Sequence, residues 1–312
     1  MSELILHHYP ISPFAEKARL VLGFKQLAWR SVHIPSIMPK PDVQALTGGY
    51  RRTPVLQIGA DIYCDTALIC DVLEHHQPTP TLYPEQHKGA ARIVAQWADS
   101  TLFTTSMAYN FSAKGAVSFF QAQGMGPDEA KAFGADRGAM RGGAPRMYSG
   151  DAAAACTSYL RRIANMLGEQ PFLFGAAPCL ADFSVYHPLW FTRAIPAVAN
   201  LFDATPNLLA WMDRMAAIGH GTSTPLSATD AIAVATASQP LPVDSEVFQD
   251  EHGIPLGSAV TITAESFGLE PTAGELVAAT RMHYTLRRTD ARAGTVHVHF
   301  PRVGFVLKKA EA

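Results

Sequence analysis

The sequence predicts a chain of three kinds of structure in succession: an α/β domain, an all-α domain and a small all-β domain. Three observations carry this. Strand-length apolar runs and helical spacings alternate over residues 1–83, strand alternation is missing from Lys88 to about Trp211, and a period of two returns after residue 243. With 312 residues, 48% of them hydrophobic, the chain is long enough to bury more than one core.

Leu4 to His7 is a short apolar run. Pro13 then opens a helix at its first position, with Ala18, Val21 and Leu22 at helical spacing and Glu16, Lys17 and Arg19 supporting it as polar residues. Trp29 to Ile34 alternates as a second strand, and Pro35, Pro39 and Pro41 mark an irregular link with about one helical turn before Gly48-Gly49. Val55-Leu56-Gln57-Ile58 and Ile62-Tyr63 flank Gly59-Ala60-Asp61 as a hairpin, and Thr66 to His76 carries Leu68, Ile69, Val72 and Leu73 on one helical face. The resulting order, βαβ(α)ββα, is that of a small mixed sheet covered by helices.

Residues 88–221 read as helical throughout, with Trp97, Leu102, Met166, Leu167 and Phe183 among the apolar positions. Ala153 to Leu167 and Asp182 to Ala194 are predicted helices, whereas the Gly- and Pro-rich stretch from Gly124 to Pro145 is expected to loop or hold only a short helix. Residues 222–242 read as a linker with one short helix at Thr229 to Ala237, stopped by Gln239-Pro240-Leu241-Pro242. In residues 243–312 five segments alternate: Val260 to Thr263, Glu275 to Ala278, Met282 to Leu286, Thr295 to Phe300 and Val303 to Leu307. A small antiparallel barrel or sandwich is the expected outcome.

Composition narrows the function. A formal net charge of −2 with 17% charged residues creates no overall field selecting nucleic acid or membrane. The start of the sequence lacks a signal-peptide pattern, and no run approaches the roughly eighteen apolar residues of a membrane span. Cys64, Cys70, Cys156 and Cys179 form neither a CxxC pair nor a zinc pattern, so a cytoplasmic, reducing location is expected. Arg281, Arg287, Arg288, Arg292, Arg302, Lys308 and Lys309 outnumber Asp290 and Glu311 near the C-terminus, which reads as charged edge strands that resist aggregation rather than a nucleic-acid surface. His297 and His299 share one strand face opposite Val296, Val298 and Phe300. With no carboxylate or third histidine evident in register, a solvated face is expected and no metal.

Three short segments carry chemistry together. Ser12 before Pro13 puts a hydroxyl at a helix N-terminus, where serine is also an ordinary cap. Thr53-Pro54 interrupts the sheet region, and Asp65-Thr66 sets an acid and a hydroxyl at a second helix start, suited to an amino acid's ammonium and carboxylate. The combination suits a small thiol peptide.

The run Ser12-Pro13-Phe14-Ala15-Glu16-Lys17-Ala18-Arg19-Leu20-Val21-Leu22 resembles the first-helix motif of the omega-like branch of the glutathione transferase family, with Ser12 where that branch carries Cys. Thr53-Pro54-Val55-Leu56 is similar to the family's cis-Pro segment, and Asp65-Thr66-Ala67-Leu68-Ile69 to the turn that holds the γ-glutamyl head. Pro171-Phe172-Leu173-Phe174-Gly175 and Cys179-Leu180-Ala181-Asp182 resemble the helix-start motif of the second domain, with Cys179 in place of the usual Ser or Thr. That exchange is expected to weaken the cap by about 1 kcal/mol, leaving Asp182 to stabilise the helix start.

The likeness covers residues 3 to 218. It implies a thioredoxin-like first domain, a helical-bundle second domain, a homodimer, and glutathione as cosubstrate, its thiolate held by Ser12 for attack on a small electrophile or reduction of an organic peroxide. It also implies a cis Pro54, backbone pairing of Thr53 with the cysteinyl part, and Lys40, Arg51 or Arg52 on the glycyl carboxylate. Ile11, Tyr109, Phe111 and Trp190-Phe191 are candidate walls for the electrophile, and Tyr9 is the rival hydroxyl. Residues 243–312 resemble a β-rich extension with no assigned role. The alternative function is a non-catalytic binding or scaffold protein of the same fold, acting through its helical face or this extension.

Overall fold

The computed structural model of the chain describes residues 3–243, 247–249 and 251–310. Strand β1 (Leu4–His8) pairs in parallel with β2 (Ala28–His33) and antiparallel with β3 (Val55–Ile58), which returns through a hairpin as β4 (Asp61–Cys64). Helices α1 (Pro13–Phe24), α2 (Pro41–Thr47) and α3 (Thr66–His76) complete the predicted first domain.

Helix α1 departs from its predicted amphipathic form, since every residue from Ala15 to Leu22 is buried. Glu16, Lys17 and Arg19 therefore sit inside the protein and must find partners there. Arg19 Nη2 donates to Glu16 Oε2 at 2.7 Å and to the Pro10 carbonyl at 2.9 Å, and its Nη1 lies 3.0 Å from His8 Nδ1.

The second domain is helical, as predicted. Helix α4 (Lys88–Trp97) runs through one π-turn, Ala98–Leu102, into α5 (Phe103–Asn110). There follow α6 (Ala113–Ala122), α7 (Pro127–Arg141), α8 (Ser149–Leu167), α9 (Leu180–Arg193) and α10 (Pro206–Ala216). The first domain's α1 packs on α9. The stretch expected to loop contains the four-turn helix α7. Pro127 at its first position, Asp128 and Glu129 in its first turn, and a bond from Gly126 N–H to Glu129 Oε2 at 2.8 Å establish the start, offsetting Gly134 and Gly138 within. At α9, Asp182 reaches back to accept from Cys179 N–H at 3.0 Å and also takes Leu173 N–H and Trp211 Nε1–H, both at 2.9 Å. The acid stabilises this helix start as the sequence implied.

The segment read as a linker is built into the sheet. Strand β5 (Thr222–Pro225) pairs in parallel with β2, and α11 (Ala228–Thr236) packs on α2, where buried Gln57 donates to the Ala231 carbonyl at 2.8 Å. Four exposed, mostly hydroxylic residues gave β5 no periodic apolar signal. All five predicted C-terminal strands are present: β6 (Ala259–Ala264), β7 (Thr272–Ala279), β8 (His283–Asp290), β9 (Gly294–Pro301) and β10 (Phe305–Lys309). They are antiparallel to one another, but they close into neither a barrel nor a sandwich. A single ten-stranded sheet runs β10-β6-β7-β8-β9-β4-β3-β1-β2-β5, joined where β9 pairs in parallel with β4.

The reason is twofold. The outer edge of β4 would otherwise present unpaired backbone groups, and Val296, Val298 and Phe300 of β9 share one apolar cluster with Ile5, Val55 and Ile62 of the first domain. Four of the five arginines of this region are spent on the chain itself: Arg287 on Glu275, Arg288 on the Ala45 carbonyl, Arg292 on Asp42 and Arg302 on Glu251, while Arg281 is exposed. Glu311, counted against them, lies outside the described residues. Among the described residues no helix is long and apolar enough to cross a membrane.

The extension also touches the loop after α2. A Cβ added at Gly49 would lie 2.3 Å from the Pro271 carbonyl oxygen, a backbone atom that cannot swing aside. Gly49→Ala is expected to lower stability by about 1–3 kcal/mol through this overpacking, read as a reduced urea midpoint at unchanged slope.

Candidate functional site

Ser12 follows β1 after the short turn Tyr9-Pro10-Ile11 and caps α1, its Oγ accepting from Ala15 N–H at 3.2 Å while the residue is 2% exposed. That is the ordinary capping bond. The hydroxyl hydrogen has no hydrogen-bond acceptor among the described residues.

Asp65 caps α3, accepting from Ala67 N–H at 2.9 Å. Its backbone lies at φ 74°, ψ 139°, a region that L-residues rarely adopt and that costs of order 1–3 kcal/mol. Thr66, the first residue of α3, accepts on its hydroxyl from Lys17 Nζ at 3.2 Å. The same ammonium is 2.6 Å from Asp99 on the π-turn, and Asp99 takes His187 Nε2–H at 2.9 Å. The start of α3 is thus tied to α1 about a turn beyond Ser12.

Burial is the largest single effect and opposes the charge on Lys17, but Asp99, joined by Cys70 and Asp65, leaves the ammonium raised above its ordinary range. Asp99 is likewise opposed by burial yet held below the usual carboxylate range by Lys17 and His187. Burial wins at His187, whose imidazole is lowered and stays neutral. Lys17, Asp99 and His187 were not singled out from the sequence. The available signal was a lysine enclosed by Ala15, Ala18, Leu20, Val21 and Leu22, a pattern buried on all sides of a helix.

The peptide bond between Thr53 and Pro54 is cis, as the resemblance implied. Thr53 Oγ1 accepts from Lys40 Nζ at 3.2 Å, and Lys40 also reaches the Arg51 carbonyl at 3.3 Å and lies 5.4 Å from the centre of the Tyr9 ring. Burial, reinforced by Arg137 and Arg51, lowers the Lys40 ammonium to about 8. The other two basic candidates are engaged by the chain. Arg51 pairs with Asp136 of α7 and with Glu270 at 2.7 Å, while Arg52 donates to the Ser266 and Phe267 carbonyls of the C-terminal extension and stands 3.6 Å from Asp65. Tyr9 accepts on its hydroxyl from Arg137 at 3.1 Å.

The predicted wall residues share one apolar cluster: Ile11, Tyr109, Phe111, Trp190 and Phe191 meet Phe119, Phe133 and Val198. All four cysteines are buried, and burial pushes their thiols up, to about 12 at Cys70 and Cys179 and about 11 at Cys156. None has the electropositive, accessible setting of a reactive thiol. His297 and His299, expected on a solvated face, are buried at 8% and 6% exposure, the Tyr63 ring lying stacked against His299.

Comparison with known proteins adds to this geometry. Residues 6–81 match the family profile described as glutathione S-transferase, N-terminal domain, and residues 136–214 match that of the C-terminal domain. A solved GST-like protein from Pseudomonas syringae is 44% identical, superposing with a TM-score of 0.82 over 99% of this chain and 100% of its own. Beta-etherase LigF from Sphingobium sp. strain SYK-6 is similar in fold alone, at 18% identity and a TM-score of 0.51 over 70% of this chain and 96% of its own. Pyrimidodiazepine synthase of Drosophila melanogaster is 31% identical over 85 residues, 26% of this chain; the chain spans about a third, 35%, of that protein's length.

Proposed function

This chain belongs to the glutathione transferase family, and we propose that it joins the sulfur of glutathione to a small electrophile, with Ser12 stabilising the thiolate. The observation that carries the reading is the junction of two helix starts: Ser12 caps α1, and buried Lys17 of α1 holds the Thr66 hydroxyl at the start of α3.

A free thiol titrates near 8.5, so only a few per cent is anionic at neutral pH. A hydroxyl donor and the partial positive charge of the first turn of α1 favour the anion. Lowering the thiol by two units corresponds to about 2.7 kcal/mol. Asp65 meets the α-ammonium of the γ-glutamyl head, and Thr66 donates to its α-carboxylate, because Lys17 already supplies that hydroxyl with a donor. With Arg51 and Arg52 engaged elsewhere, Lys40 takes the glycyl carboxylate, whose charge offsets the burial cost of the ammonium. The aromatic cluster around Tyr109, Phe111 and Phe191 receives the electrophile. The working form is a homodimer in the cytoplasm.

Ser12→Ala is expected to lower kcat/KM with an aromatic halide by about a hundredfold, the rate equivalent of that shift, while calorimetry finds glutathione bound nearly as before. Full activity in the variant removes Ser12 from the chemistry. A null titration of the unaltered protein with glutathione removes the whole reading and leaves the scaffold alternative.

A further inference from the structure

We propose that Asp61, His297 and His299 form a binding site for one divalent transition-metal ion of the zinc type, seated across the seam between the first domain and the C-terminal strands. The site is separate from the glutathione cleft and does not depend on it.

The parallel pairing of β4 with β9 sets Asp61 opposite His297 and Tyr63 opposite His299. Residues two apart on a strand share a face, so both imidazoles come to the one carboxylate. His299 Nε2 lies 2.9 Å and His297 Nδ1 3.8 Å from Asp61 Oδ1, and the three donor atoms fall within 4.8 Å of one another. Two ligands bound at about 2.0–2.1 Å to a tetrahedral zinc ion are roughly 3.3 Å apart, a separation that these two distances bracket.

A hydrogen bond between Asp61 and His299 accounts for only part of the cluster. His297 Nδ1 is buried without a hydrogen-bond partner although it faces the same carboxylate. Such an orphan in a buried polar group calls for a missing partner, and an ion shared by three donors supplies it. The outer contacts match those of a metal site. Thr285, opposite His299 in β8, holds Nδ1 at 2.9 Å and so aims Nε2 at the carboxylate; Tyr63 stacks on the same ring at a centroid distance of 4.4 Å. Leu241 N–H donates to Asp61 Oδ2 at 2.9 Å, orienting Oδ1.

The donor set also selects the ion. Two imidazoles and one carboxylate suit zinc and its first-row neighbours rather than calcium or magnesium, which favour oxygen. Three protein donors leave a fourth position for water. A cavity of about 390 Å³ bordered by His297, Leu241, Glu275 and Arg287 lies on the His297 side of the cluster.

The test uses the full chain, dialysed against a chelator and titrated with zinc chloride by calorimetry, with cobalt(II) as an optical probe. One ion per chain and visible tetrahedral cobalt bands are expected, together with a rise in the thermal midpoint. His297→Ala removes a side chain whose Nδ1 has no partner, so it should fold with an unchanged circular dichroism spectrum, lose zinc affinity by more than the roughly 10- to 100-fold cost of losing a supporting residue, and bind glutathione as before. Asp61→Asn should abolish the cobalt bands, whereas His75→Ala, an exposed histidine on α3, should change neither. Absence of zinc and cobalt binding in the unaltered chain, or equal affinity in His297→Ala, overturns the proposal.

Discussion

Asp99→Ala should destabilise the protein by about 3–5 kcal/mol, the usual consequence of breaking a buried ion pair from one side. Lys17 is fully buried, and without the carboxylate its ammonium keeps only the Thr66 hydroxyl. The same change strands His187 Nε2–H on a ring whose Nδ1 already lacks a partner. Chemical denaturation reads the loss directly. Lys17→Met combined with Asp99→Leu should recover most of it, since an apolar pair of similar volume removes the charge instead of abandoning it. The single variant should also weaken glutathione binding, because Lys17 would no longer be held against the start of α3. A cost below about 1 kcal/mol, typical of exposed pairs, would show that the lysine finds water on its own.

Acid should unfold the protein well above the carboxylate range. Burial lowers His7 from 6.5 to about 4, and burial followed by the charge of Arg19 lowers His8 from 6.5 to about 3. Arg19 donates to His8 Nδ1, so the ring is neutral and presents its Nε2–H to Ser31 Oγ at 2.9 Å. The sign follows from proton uptake: the unfolded chain protonates both rings near 6.5, whereas the folded chain resists until about 4 and 3. Their stabilisation is therefore complete above pH 6.5 and declines as pH falls through the interval down to the folded values. Near pH 4.5 the two together account for roughly 5 kcal/mol, comparable to the lower end of a domain's whole stability. Glu16 and Asp99, both held low, add to the loss at more acid pH, while burial-raised Asp182 acts weakly in the opposite sense. Thermal midpoints recorded from neutrality downward should fall steeply from about pH 6, and His7→Gln should flatten part of that slope. A midpoint constant to about pH 4.5 would refute the assignment.

Periodicity is a local property, which explains what could be read in advance. Leu4 to His7, Thr66 to His76 and the five C-terminal alternations each carried their own signal and formed as predicted. The pairing of β9 with β4 carried none, because alternation in Thr295 to Phe300 tells which side chains share a face and not which strand lies alongside. Asp61 and His299 meet across 238 positions of sequence. For the same reason the carboxylate that completes the histidine pair was invisible. The charges of α1 misled differently: hydropathy sends Glu16, Lys17 and Arg19 to water, and only the packing of α9 over them reveals otherwise. Ser12, Thr53-Pro54 and Asp65-Thr66 were legible because caps and turns are written in adjacent residues, whereas the engagement of Arg51 and Arg52 by Glu270, Ser266 and Phe267 depends on the extension folding back.

Order of synthesis takes on weight in such a sheet. While residues 294–301 are still to be translated, β4 has no neighbour on its outer side, and Ile5, Val55 and Ile62 lack part of the wall that seals them. A nascent first domain must therefore wait, edge open, for a strand made more than two hundred residues later, so a premature stop in that interval should leave a sticky fragment.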